Sequence, residues 1–315
     1  MESVKVREGF ACCFDLGYAQ SNHTLEVAIV DTLKSNELKN NEIENNGIEN
    51  NGIKDTEIKD NGIKDNGLKN NAIKKNGLNS NQIKLIAIIA MTIDHLTWLF
   101  FPGCQKIWWV MGLHVIGRLT APIMWFFIAE GFHYTRSVKK YIFRLFVFAI
   151  ISHFAYNFAG GIPFVPNGFF NMTSVMWPLA WAVVLMVIFT TDRLPQWIKI
   201  VLTILICFIT FPADWSTIAA ICPVYLYLHR GDFKKQAVTM FIWTAMYAIV
   251  YFIFMDKVYG IIQMFTLLSL LFLKQYNGER GQWKGMKWFF YLYYPAHLFV
   301  IGIIRVMMGN GSIFP

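Results

Sequence analysis

The chain has 315 residues, of which 55% are hydrophobic, 17% aromatic and only 15% charged, with mean hydropathy +0.41. This is too apolar for an ordinary soluble domain and fits a polytopic membrane protein in a lipid bilayer. The net charge of +8 arises after residue 84, where 17 Lys/Arg face seven Asp/Glu scattered between apolar runs, a pattern of cytoplasmic loops rather than of a nucleic-acid surface.

Residues 1–30 lack an apolar core between a basic start and a small-residue cleavage site, so they read as a soluble tail rather than a signal peptide. From Leu33 to Ile83 an aliphatic residue recurs every fifth position, separated by Asn, Gly, Lys, Asp and Glu. A five-residue step gathers no stripe on a helix or a strand, and the place two before each central aliphatic holds Asn or Thr rather than the small residue a pentapeptide solenoid wants. Residues 31–82 are therefore expected to be a low-complexity tether, and residues 83–315 the membrane domain. Cys12, Cys13, Cys104, Cys207 and Cys222 show neither metal-ligand spacing nor a disulfide framework, and no metal site is expected.

The first apolar run, IKLIAIIAMTIDHLTWLFF over residues 83–101, is long enough to cross a bilayer and carries Asp94 and His95 in its middle. Further runs follow at about 108–133, 141–158, 172–190, 199–212, 216–229, 237–255, 258–273 and 288–308, which gives an all-α bundle of about nine transmembrane helices. The fifth and sixth runs are short and split by Pro212-Ala-Asp214-Trp, so a re-entrant pair is the alternative there. Basic residues fall between alternate spans, which makes those loops cytoplasmic, places the N-terminus inside, and assigns the chain to the plasma membrane as a multi-pass protein.

An intramembrane carboxylate costs at least ~2.5 kcal/mol to insert, so Asp94 is a functional candidate by default. Arg118 lies halfway along the second span, at the depth of Asp94, and must pair or line a wet cavity. His297, ten residues into the last span and just after Pro295, reaches the same level. Asp94 and His95 point about 100° apart on one helix and so face different partners. Convergence of Asp94, His95, Arg118 and His297 from three helices predicts a polar pocket inside a bundle. His153, Asn157, Asn171 and Thr173 read as polar caps near the membrane surface, and Asp214 as a helix cap at the outer end of a hairpin. Tyr134, Arg136, Lys139, Lys140 and Arg144 form the basic cytoplasmic loop most suited to a nucleotide phosphate. No P-loop, dinucleotide-binding glycine pattern, HExxH or GxSxG stands in a suitable context.

Four stretches, in order, carry a family resemblance: IKLIAIIAMTIDHL at 83–96, GRLTAPIMWFFIAEGFHYTRSVKKYIFRLFVFAIISH at 117–153, ADW at 213–215 and FFYLYYPAHLFVIGIIR at 289–305. The sequence resembles the TraX family of integral-membrane proteins associated with conjugative pilin acetylation, within the broader group of membrane acyltransferases. Ala219 and Ala220 stand where the family's stretch after ADW carries a glycine. The resemblance implies transfer of an acyl group, typically acetyl, from acetyl-CoA to an amine or hydroxyl on a peptide or glycan acceptor. The pocket suits that reaction, with His95 or His297 as base, Asp94 holding a histidine or the acceptor, and Arg118 either keeping Asp94 ionised or facing the thioester oxygen. The phosphates of acetyl-CoA would fall to Tyr134, Arg136, Lys140 and Arg144. A transporter or channel that uses the buried charges as an ion relay is the competing class.

Overall fold

The computed structural model describes residues 77–162, 172–283 and 285–309, without the side chain of Lys287. The soluble tail and the tether up to residue 76, like Asn171, lie outside the described residues. Residues 77–82 belong to the membrane unit: Leu78 forms an isolated bridge with Tyr276, and Asn79 opens the first helix.

The described residues are all-helical. In chain order they form α1 (Ser80–Phe100), α2 (Trp108–Gly117), α3 (Thr120–Tyr134), α4 (Val138–Gly160), α5 (Met176–Thr190), α6 (Gln196–Thr210), α7 (Ile218–Leu228), α8 (Phe233–Phe254), α9 (Lys257–Met264), α10 (Ser269–Leu273) and α11 (Met286–Met307), with a 3-10 turn over Phe265–Leu268. Five segments are long and apolar enough to cross a membrane: α1, α2 with α3, α4, α8, and residues 288–307 of α11. The segments 176–190, 196–210, 218–228 and 257–273 are apolar but shorter.

Local chemistry sets the helix starts and breaks. A capping box opens α1: Asn79 Oδ1 accepts the Gln82 N–H at 3.1 Å while Gln82 Oε1 accepts the Asn79 N–H at 2.9 Å. The second predicted span is one rod broken at Arg118 and Leu119, and Pro122 explains the break. Proline has no N–H for the carbonyl four residues back, and its ring clashes with that carbonyl, which belongs to Arg118. Asp232 and Asp256 cap α8 and α9 through their carboxylates.

The core is lined by α1, α3, α4, α5, α7 and α11, with Ile83, Ile123, Trp125, Leu145, Leu179 and Leu298 buried at its centre. Ala219 and Ala220 are fully buried on α7, which packs on α3 and α5. At 1.5 Å per residue α7 is only about 16 Å long and α6 about 22 Å, short of a ~30 Å hydrocarbon core. Their connecting segment turns inside the bundle: Thr173 bridges Ala213, and Trp215 packs against the ring of Trp125 on α3.

Candidate functional site

Asp94 is held by two side chains from α2 and the break that follows it, through three hydrogen-bond contacts. Its Oδ1 accepts from His114 Nδ1 at 2.9 Å, and Arg118 Nη2 donates to both of its oxygens, at 3.1 and 3.0 Å. Gly117 permits this approach, since a Cβ there would collide with the Asp94 side chain. Arg118 is almost fully buried and its remaining donors are directed elsewhere: Nη1 to Gln263 Oε1 on α9 at 3.1 Å, and Nε to the His114 carbonyl at 3.4 Å. The two Asp94 oxygens share a single Nη2 N–H, because the two N–H bonds of one nitrogen diverge too widely for both to meet one carboxylate, so three of the five guanidinium N–H groups are used and one on each Nη is left over. The expected Asp94–Arg118 pair is present, with His114, Gln263 and the face of Trp215 at 5.4 Å completing its surroundings.

His95, one residue on, faces α11 instead. Its Nδ1 lies 2.8 Å from His297 Nε2, and His297 Nδ1 donates to the Tyr293 carbonyl at 2.9 Å. A carbonyl only accepts, so His297 carries its proton on Nδ1 and its Nε2 must accept; His95 therefore donates from Nδ1 and presents Nε2 as a lone pair. Pro295 opens the helix backbone just below this bond. Tyr293 stacks on the His297 ring at 5.2 Å, and its hydroxyl meets Thr92 Oγ1 at 2.8 Å. Because Thr92 gives its own proton to the Ile88 carbonyl, Tyr293 is the donor in that contact.

Asp214 is not a cap at the outer end of a hairpin. Thr217 takes the N-cap position of α7 without a side-chain bond, and the Ser216 hydroxyl donates to the Phe211 carbonyl at 3.0 Å. The segment dips to the buried ion pair because α6 and α7 are too short to carry it further, leaving Asp214 within electrostatic reach of Arg118 and Asp94. Trp215 and Ser216 both adopt left-handed backbone, φ 62° and 47°, a costly conformation for two successive non-glycine residues. That turn lays Trp215 flat on Tyr247, ring centroids 4.9 Å apart, and beneath Arg118.

The four proposed phosphate ligands are not drawn into one cluster. Arg136 and Lys140 are exposed, and Tyr134 engages Arg230, whose Nη2 donates to its hydroxyl at 2.9 Å. Arg230 also binds Glu130 through Nε at 2.7 Å. Arg144 turns inward, its guanidinium 5.4 Å from the Tyr141 ring and 5.3 Å from the Tyr291 ring. Tyr291 stands six residues before His297 on α11, so Arg144 lies about 9 Å down the helix axis from the histidine pair. Among the described residues no group of three or more His, Cys, Asp or Glu converges as metal ligands do.

Sequence reasoning missed His114, Gln263, Trp215 and Arg230 as members of these constellations. His114 carried a signal, standing four residues before Arg118 on one helical face. Trp215 stood in the ADW stretch that carries the family resemblance, with nothing to mark it as a partner of Arg118; Gln263 carried no signal, since an amide in an apolar run is an ordinary packing residue. The sequence pattern that defines the family described as "TraX protein" matches residues 79–305. A relative, a probable fimbrial assembly protein FimC of serogroup H1 from Dichelobacter nodosus, is 31% identical over 227 residues, 69% of this chain and 91% of that protein. No solved structure matches.

Proposed function

This chain belongs to the TraX family, and on that premise we propose that it is an integral-membrane acyltransferase moving an acetyl group from acetyl-CoA to an amine or hydroxyl acceptor. In this reading nine apolar segments lie in the plasma membrane with the N-terminus cytoplasmic, and α6 and α7 form a re-entrant hairpin. The relative named for fimbrial assembly favours a pilin-like peptide over a glycan as the acceptor.

One observation carries the reading: the chain of hydrogen bonds from the Tyr293 carbonyl through His297 to His95, which sets both tautomers and makes His95 Nε2 a lone pair able to take a proton. His95 is the general base, and His297 is the positioning residue that shares the charge as His95 becomes protonated. Arg118 offers its remaining Nη N–H groups to the oxyanion that develops on the acyl carbonyl. Asp94 is too fully hydrogen-bonded to serve as a base; it holds Arg118 in place and keeps the site close to neutral. Arg144, between its two tyrosines, takes a phosphate of the donor, and the exposed Arg136 and Lys140 add long-range attraction.

The test incubates purified protein with labelled acetyl-CoA and native membranes. Wild type transfers the label to a membrane component. His95→Ala loses transfer by on the order of 10²–10⁴-fold while eluting as a folded protein. Full transfer by that variant removes His95 from the chemistry, and no transfer by wild type overturns the proposal.

A further inference from the structure

The polar residues at the Gly160 end of α4 and just before α5 take no part in the chemistry above, yet they form a second constellation. His153 Nδ1 lies 3.0 Å from Thr173 Oγ1, and His153 Nε2 lies 3.1 Å from the side-chain amide of Asn157. Asn157 is fully buried, and as oriented its Oδ1 has no partner among the described residues. The two ends of an amide are assigned from their hydrogen bonds. Either assignment leaves one end of this amide without a partner among the described residues; with the amide turned over, Oδ1 accepts Nε2–H, and His153 Nδ1 becomes a lone pair facing the threonine hydroxyl. Hydroxyl, imidazole and amide then stand as nucleophile, base and orienting group, each within hydrogen-bonding reach of the next.

Thr173 is also tied through its backbone to the turn beside Arg118. Its carbonyl accepts the Asp214 N–H at 2.9 Å, which binds it to the strained turn under Arg118. Tyr294 spans the remaining gap: its ring meets His297 edge-on at 5.6 Å, and its hydroxyl reaches toward Ser174 and Val175. One tyrosine side chain thus separates this constellation from the His95–His297 pair.

We infer that Thr173 is an acyl-accepting nucleophile, activated by His153 and Asn157, so that transfer runs through a threonyl ester; this rests on the acyltransferase reading. His153 Nδ1 takes the Oγ proton as Oγ bonds to the thioester carbonyl carbon. The C–S bond breaks, and the thiolate leaves and takes a proton from water. In the second half the acceptor nitrogen or oxygen bonds to that carbon and releases its proton to water, from which His95 Nε2, on the far side of Tyr294, takes it up. The C–Oγ bond breaks, Thr173 recovers the proton held by His153, and His95 returns its own to water. Two half-reactions let donor and acceptor meet the same threonine in turn.

The experiment incubates the full chain in detergent with acetyl-labelled acetyl-CoA and no acceptor, follows thiol release, quenches in acid and measures protein-bound label. Wild type is expected to hold up to one alkali-labile acetyl group per chain, located on Thr173 by peptide mass. Thr173→Val, which keeps the shape, loses the label to background, Thr173→Ser retains it, and His153→Ala slows its appearance by on the order of 10²-fold or more. Thiol release by wild type without a bound ester, or ester formation in Thr173→Val, overturns the inference and leaves the acyltransferase reading standing. Transfer to native membranes without any bound ester does the same. Absence of both thiol release and transfer in wild type overturns the two together.

Discussion

Asp94 accepts three hydrogen bonds and Arg118 is buried against it, so each charge depends on the other. Removing one member of a buried pair leaves an uncompensated charge, which costs about 3–5 kcal/mol. Asp94→Asn and Arg118→Leu singly are expected to lower the thermal unfolding temperature in detergent sharply, whereas the double variant recovers a large part of the loss. Additive losses would show that the two side chains do not act as a pair. Their partnership was legible in the sequence because two ionisable residues at one depth in hydrocarbon have few alternatives. The orientation of His95 toward His297 was not, because depth along a helix says nothing of rotation about it.

Helix ends decide how these residues meet. Pro122 breaks the second span four residues after Arg118, and the brevity of α7 brings Trp215 beneath the guanidinium. The turn between α8 and α9 is secured by Asp256, which caps α9 through the N–H groups of Val258 and Tyr259 and pairs with Lys106 at 3.0 Å. Burial by itself raises the Asp256 carboxyl, but the Lys106 ammonium and the two capping N–H groups together outweigh it and hold the group below the usual carboxylate range. The unfolded value is near ~3.9, so the stabilisation is fully present above about pH 4 and is lost as the pH falls through the lower folded value. Asp256→Ala is expected to cost about 1 kcal/mol, mostly the cap, because the lysine is largely exposed and screened. Asp256→Asn keeps a capping oxygen, costs less and flattens the acid limb of stability against pH. An unchanged acid limb in that variant would remove Asp256 from this role.

At the scale of the whole molecule, the topology predicts which cysteines a membrane-impermeant thiol reagent reaches. Cys104 is exposed in the connection between α1 and α2, which the proposed orientation puts outside the cell. Intact cells should be labelled at Cys104, and at Cys12 and Cys13 only after permeabilisation; the reverse order would invert the orientation. The sequence by itself determined that the chain is a helical membrane protein, where its apolar segments run and which ionisable residues share a level, because transfer into lipid is a property of composition and length. Only the tertiary structure decided which imidazole presents a lone pair, that the ADW turn reaches the buried arginine, and that Thr173, His153 and Asn157 adjoin one another. Those outcomes depend on helix rotation, on breaks at proline and on contacts between residues far apart in the chain, none of which a hydropathy pattern encodes.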